Sequence, residues 1–238
     1  MLKNCRNDFP TLQGDSPPAY LDNACVTLKP QSVIDSIQRY YTETPGCGGR
    51  SVHRYGTAVS KSVVDARNKL GSFLNAATPN EIVFTRNATH SINQIAHGMK
   101  WNKGDVVLTS DREHNSNLVP WLQLEQEQGI DHRGVPSLSD NAFDLEAFES
   151  ACAKAGDRLK MVAMSHVGNL DGVEIPITEV TKIAHDYGAL VAIDGAQSTP
   201  HMNVDVQALD IDFLSFSIHK MCGPSGMGGL WGRYELLD

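Results

Sequence analysis

A series of short apolar runs separated by helical patterns constrains this chain more than any other feature. IVFT at 82–85, VVLTS at 106–110, MVAMSH at 161–166, LVAID at 190–194, FLSFS at 213–217 and GLWG at 229–232 are near-continuous apolar runs, and HRGVP at 132–136 is a weaker seventh. Strands that are apolar on both faces belong to mostly parallel sheets covered by helices. Between the runs lie helical spacings. Val33, Ile34, Ile37, Tyr40 and Tyr41 share one face over 31–43, and Val63, Ala66, Leu70, Phe73 and Leu74 follow over 58–75. Further patterns occupy 89–99 and 144–155, and another helix opens at Pro176. The alternation predicts a doubly wound α/β domain.

The composition agrees with this reading and removes several alternatives. With 238 residues, 41% hydrophobic and 20% charged, the chain is long enough for one large α/β domain and has no fibrous or disordered bias. Lys plus Arg number 20 against 28 acidic residues, a net charge of -8, which argues against binding a phosphate backbone. The longest apolar run of the C-terminal half, ALVAI at 189–193, is far short of a membrane span. The start, MLKNCRNDFP, has no signal-peptide core, so a cytoplasmic protein is expected. Cys5, Cys25, Cys47, Cys152 and Cys222 are odd in number and form no CxxC pair, which reads as reduced thiols.

In a doubly wound sheet, ligands bind at the carboxyl ends of the strands. IVFT runs into Arg86-Asn87-Ala88-Thr89 and a helix start, where free N–H groups and a hydroxyl can bind an anion, although Thr89 read alone is an N-cap. VVLTS leads to His114, and MVAMSH leads to Asn169, which alone reads as a turn residue. LVAID ends in Asp194, a carboxylate that needs a cation, a metal or N–H donors if it is buried. No clustered ligands support a metal, and a helix-capping Asp is the plain structural alternative. FLSFS leads to Ser217, His219 and Lys220, then to a Gly-rich turn that lacks the P-loop order. A lysine in a closed cleft can lose its proton and form a Schiff base. An anion site, an aromatic ring, an acid and a lysine at successive strand ends together suit pyridoxal 5′-phosphate.

These motifs resemble the class V aminotransferase-like enzymes, in particular the cysteine desulfurase and selenocysteine lyase branch. The resemblance rests on YLDNACVTLKPQ at 20–31, GRSVHRYGTAVS at 49–60, IVFTRNATHSIN at 82–93, EHNSNLVPW at 113–121, SHVGNLDGVEIPI at 165–177, VAIDGAQSTPH at 191–201 and SFSIHKMCGPSGMGGLWG at 215–232. It implies the large domain of the PLP-dependent transferase fold (fold type I), with a mostly parallel seven-stranded sheet and helices on both faces. It further implies that residues 1–30 form an N-terminal segment belonging to the small domain in full-length relatives, and that 31–238 form the cofactor domain.

Residue by residue, Lys220 is expected as the Schiff-base lysine and Asp194 as the partner of the pyridinium nitrogen. His114 would stack on the ring, and Gln197 would bond the ring hydroxyl. Ala88, Thr89, Ser217 and His219 would lie at the phosphate, and Asn169 near cofactor and substrate. His53 and Arg54 match a loop near the mouth of the site. Asn115 stands where relatives often have a second His, Cys25 where a small residue is common, and Ala88 where Thr is common. Cys222 does not match the family's persulfide cysteine. Relatives continue into a C-terminal domain carrying the carboxylate-binding arginine and that cysteine, so a fragment with exposed apolar surface and poor solubility is expected. The implied activity is removal of sulfur from cysteine to give alanine. Transamination, epimerisation, selenocysteine cleavage or a non-catalytic PLP-binding role are the alternatives. The implied partners are a small amino-acid substrate, a second copy in a homodimer and a sulfur-acceptor protein.

Overall fold

The computed structural model describes residues 5–237. Met1–Asn4 and Asp238, and with them the outer limits of the two expected spans, lie outside the described residues.

Seven strands form one sheet: β1 (Ile82–Thr85), β2 (Val106–Ser110), β3 (Asp131–Val135), β4 (Leu159–Ser165), β5 (Leu190–Asp194), β6 (Phe213–Ser217) and β7 (Gly228–Gly232). Their order is β1-β7-β6-β5-β4-β2-β3. The five strands from β6 to β3 are mutually parallel, and β7 runs antiparallel between β6 and β1. The weak run at 132–136 is the edge strand β3, paired with β2 only, and its partly open residues Asp131–Gly134 reflect that position.

Alternate residues of each strand feed two separate cores. Val106, Leu108, Val162, Met164, Val191, Ile193, Leu214 and Phe216 pack on one face, while Val107, Met161, Ala163, Ala192 and Phe213 pack on the other. The first face is covered by α5 (Leu145–Ala155) and α6 (Ile177–Asp186) through Phe148, Cys152, Val180 and Ala184. The second is covered by α3 (Ala88–Gly98) and α4 (Asn115–Gln128) through Ile92, Ile95, Trp121 and Leu124. Helices on both faces explain why the strands read as continuous apolar runs.

Helix α4 has no counterpart among the helical spacings of the sequence. Its sequence, NSNLVPWLQLEQEQ, mixes apolar and polar residues around the whole circumference and carries Pro120 inside the helix. Proline removes one helical hydrogen bond, yet Pro120, Trp121 and Leu124 are all buried, so tertiary packing outweighs local propensity here.

The remaining helices differ. α1 (Gln31–Thr42) has no buried residue, and α2 (Arg54–Phe73) buries only Gly56 and Gly71. The shared apolar face expected over 31–43 exists, but Ile34, Ile37, Tyr40 and Tyr41 are exposed. α2 starts four residues earlier than the apolar spacing indicates, because His53 caps it with Nδ1 accepting from Gly56 N. Ahead of α1, residues 20–30 form an irregular strap that crosses the carboxyl edge of β5 and β6, where Gln197 Nε2 donates to Ala24 O and Thr27 N donates to His219 O. A short helix α7 (Ser198–His201) completes this edge.

Candidate active site

The carboxyl ends of β1, β2, β4, β5 and β6 converge on a cleft of about 430 Å³, with α3 and α4 starting at its rim. Ala88, Thr89, His114, Asn169, Asp194, Gln197, Ser217, His219 and Lys220 all line it. These are all the residues expected at a cofactor. His53 and Arg54 do not line it; they sit exposed at the start of α2.

One end of the cleft is built for an anion. Ser217 Oγ accepts from Ala88 N at 2.9 Å, which locks the end of β6 to the start of α3 and leaves the hydroxyl proton free to donate. Thr89 Oγ1 lies 2.7 Å from Ser116 Oγ, joining the starts of α3 and α4. Two helix N-termini therefore meet at hydroxyl donors. Gly228 permits the close approach. A Cβ there would lie 2.5 Å from Asn87 Cα and 2.7 Å from Phe216 O.

His114 stands at the rim as the cap of α4. Its Nδ1 accepts from Ser116 N at 3.1 Å, which places the ring proton of the neutral side chain on Nε2 and fixes the ring plane.

The opposite end carries the charge. Asp194 is 6% exposed, and Ala196 N donates to its Oδ1 at 2.9 Å. Burial pushes its pKa up to about 6; the Ala196 N–H opposes the rise, Glu113 adds to it and Lys220 opposes it. Burial also pushes the Lys220 amine below the usual lysine range, against the pull of Asp194 and then Cys25. His219 is held below the usual imidazole range by burial, then by Lys220 and Lys29. The cleft thus offers a half-buried amine that loses its proton more easily than usual, and a buried carboxylate that a cation would hold ionised. A flat ring bearing a basic nitrogen, a carbonyl carbon and an anionic group fits this donor set.

Several contributors had no separate signal in the sequence. Glu113 accepts from Ser110 Oγ at 2.7 Å, Ser165 Oγ at 2.6 Å and Asn117 Nδ2 at 2.8 Å, so one carboxylate ties the ends of β2 and β4 to α4. Asp22, Ala24 and Cys25 of the strap close the cleft from the N-terminal side. Glu113 lies inside the EHNSNLVPW motif, but its reach to Ser165 spans 52 residues of sequence. A second cavity of about 330 Å³ adjoins the cleft at Ser165, Asn169 and Leu170, and its polar wall is closed by the Arg112–Asp171 ion pair. Among the described residues no helix is long and apolar enough to cross a membrane, and no group of three metal-ligating side chains occurs.

A mostly parallel α/β sheet with a lysine and a buried carboxylate at adjacent strand ends defines a fold shared with solved cysteine desulfurases. A structure of the cysteine desulfurase CsdA from Escherichia coli superposes with a TM-score of 0.87 at 35% identity, covering 98% of this chain and 58% of that one. The cysteine desulfurase of Thermococcus onnurineus NA1 gives 0.88 at 33% identity, over 99% of this chain and 57% of the other. Among curated proteins, a cysteine desulfurase of Dickeya dadantii is 38% identical over 100% of this chain and 58% of its own length. One from Synechococcus elongatus is 40% identical over 100% of this chain and 38% of its own length. The profile of the family "Aminotransferase class-V" matches residues 19–238. The chain belongs to the class-V aminotransferase family. It spans a little over half the length of most of the curated relatives it matches, for example 56% of a probable cysteine desulfurase of Synechocystis.

Proposed function

We propose that this chain carries the cofactor-binding part of a pyridoxal 5′-phosphate-dependent cysteine desulfurase. The observation that carries the reading is the single cleft in which Thr89, His114, Asn169, Asp194, Gln197, Ser217, His219 and Lys220 meet. When bound, pyridoxal 5′-phosphate supplies an electron sink that weakens the bonds at the α-carbon of an amino-acid substrate.

The protein's own groups have separate tasks. Lys220 is the residue that would hold the cofactor, its amine being the nucleophile in the cleft that an aldehyde would meet. The lowered basicity of Lys220 raises the fraction of neutral, nucleophilic amine. Asp194 would pair with the ring nitrogen; opposite charges about 4 Å apart at an effective dielectric of about 20 attract by about 4 kcal/mol, which would favour the protonated nitrogen. His114, fixed by Ser116, covers one face of the ring. Gln197 meets the ring hydroxyl while its amide stays anchored on Ala24 O. The Ser217 hydroxyl, Thr89 and His219 would receive the phosphate at the starts of α3 and α4, with Ala88 holding Ser217 in place through its N–H. Asn169 lies toward the substrate. The same Lys220 amine, when free, would be placed to move a proton at the substrate α-carbon.

In this reading residues 1–30 are an N-terminal segment and 31–238 the cofactor domain of a longer cytoplasmic enzyme. Cysteine is the substrate, alanine the product, and sulfur passes to an acceptor protein. The relatives named cysteine desulfurases support that choice over the other reactions of the family. The enzyme works as a homodimer, consistent with the exposed apolar residues of α1 and α2.

Purified full-length protein is expected to absorb visible light, and Lys220→Ala is expected to abolish that band and the release of alanine from cysteine. A retained band, or keto-acid exchange without alanine and sulfur release, would overturn the assignment.

A further inference from the structure

One hydrogen-bond network lies just outside the cleft and meets it only at the backbone of His219. Lys29 is half-buried in the strap and does not line the cleft. Its Nζ donates to Thr27 O at 2.6 Å and to His219 O at 2.8 Å. Thr27 donates to the same His219 O twice, from its N at 3.1 Å and from its Oγ1 at 2.9 Å. Thr27 Oγ1 in turn accepts from Cys222 N at 2.8 Å. Three donors therefore converge on one carbonyl oxygen, that of the peptide joining His219 to Lys220, and a fourth contact holds the backbone two residues further on.

That concentration of donors is unusual for the place where it occurs. The segment Ile218–Lys220 is a single three-residue 3-10 turn, and Cys222 just beyond it has a left-handed φ of 60°. Such a short turn has little stability of its own. The peptide plane ahead of Lys220 sets the direction in which its side chain leaves the backbone. A carbonyl oxygen has two lone pairs, so three donors saturate it, and a cationic donor makes the shorter and stronger type of bond.

We propose that Lys29 and Thr27 are positioning residues that fix the His219–Lys220 peptide and so aim the Lys220 amine at its target in the cleft. This rests on the reading of Lys220 as the cofactor-binding lysine. Lys29 acts through the peptide and not on the ligand. Because the same peptide carries His219, removing Lys29 should slow formation of the C–N bond at Lys220 more than it weakens the pocket that receives the phosphate and the ring.

The test compares two ligands on the full-length protein stripped of cofactor. Pyridoxal 5′-phosphate can bond to Lys220; pyridoxamine 5′-phosphate has the same ring and phosphate but no aldehyde. After mixing with the aldehyde form, timed borohydride reduction and mass analysis of the Lys220 peptide give the rate of bond formation. Lys29→Met is expected to slow that rate about fivefold, the effect of losing one hydrogen bond of average strength. Pyridoxamine 5′-phosphate should lose affinity by a clearly smaller factor than the rate falls. Lys29→Arg, which keeps a cationic donor, is expected to recover most of the rate. Thr27→Val, close in shape but without the hydroxyl, should slow the rate in the same sense, and it decides the matter if Lys29→Met does not fold. An unchanged rate in the variant read, or a loss of affinity for pyridoxamine 5′-phosphate as large as the fall in rate, overturns the proposal. Lys220→Ala serves as the reference: if its protein is still modified at the same peptide region, the reading of Lys220 fails, whatever Lys29 does.

Discussion

Asp194 and Asp212 lie at opposite ends of the same pair of strands, both nearly inaccessible, with 6% and 4% exposure. Asp212 precedes β6 at the amino end of the sheet. It accepts from His185 Nε2 at 2.9 Å and Val191 N at 2.7 Å and pairs with the Arg233 guanidinium, Nε lying 2.9 Å from its other oxygen, so both oxygens have partners. Asp194 ends β5 at the carboxyl end, and burial dominates its energetics, with the Ala196 N–H and the more distant Lys220 only partly offsetting it. A buried carboxylate that serves the fold is supplied with donors by the fold. One that is supplied with fewer is poised for a cation from outside the chain. The contrast separates a structural acid from a functional one without reference to any relative.

Substitutions at the two positions should separate in the same way. The largest effect is expected from Asp194→Asn in the full-length enzyme: losing an attraction of about 4 kcal/mol at the ring nitrogen lowers turnover about a thousandfold, measured as alanine release. Next, Asp212→Ala should cost about 2 kcal/mol of stability in chemical denaturation, because it leaves the buried Val191 N–H without its acceptor and removes one of the partners of Arg233 and His185. Its effect on turnover per folded molecule should be small. The smallest expected response concerns Cys152, whose thiol burial pushes up to about 12. At pH 8 a thiol reagent should label the exposed Cys25 and Cys47 of the native protein and leave Cys152 untouched.

The sequence showed the sheet because its strands are covered on both sides. Ile193 and Ala192 face different cores, so the run LVAID has no polar interruption until Asp194. It showed the site for the same reason: polar residues directly after such runs stand out. What it did not show depends on contacts between distant segments. Glu113 takes its meaning from Ser165, and Lys29 takes its meaning from His219, 190 residues away. Neither contact leaves a periodic trace. Helix α4 escaped for a local reason, since Pro120 and a polar run hide a helix that Trp121 and Leu124 stabilise by burial. The apolar face over 31–43 was legible as a pattern, yet α1 buries none of it within the described residues, so periodicity gave the element without its packing.

The under-supplied state of Asp194 also has a pH signature. Its folded pKa, about 6, lies above the unfolded value of about 3.9, so the folded form retains the proton more tightly. Its contribution to stability is therefore full below about pH 4 and is lost as pH rises through about 6. Above pH 7 the loss amounts to about 3 kcal/mol for a fully buried group.

The most direct measurement is the stability of Asp194→Asn against the unaltered protein at pH 7.5, with and without pyridoxal 5′-phosphate. Without the cofactor, the variant should be the more stable by about 2 to 3 kcal/mol, and the advantage should vanish near pH 4. With saturating cofactor the order should reverse, because only the carboxylate gains a cationic partner. A variant that is less stable than the unaltered protein under both conditions would show that Asp194 is already satisfied by the fold, and would contradict the account.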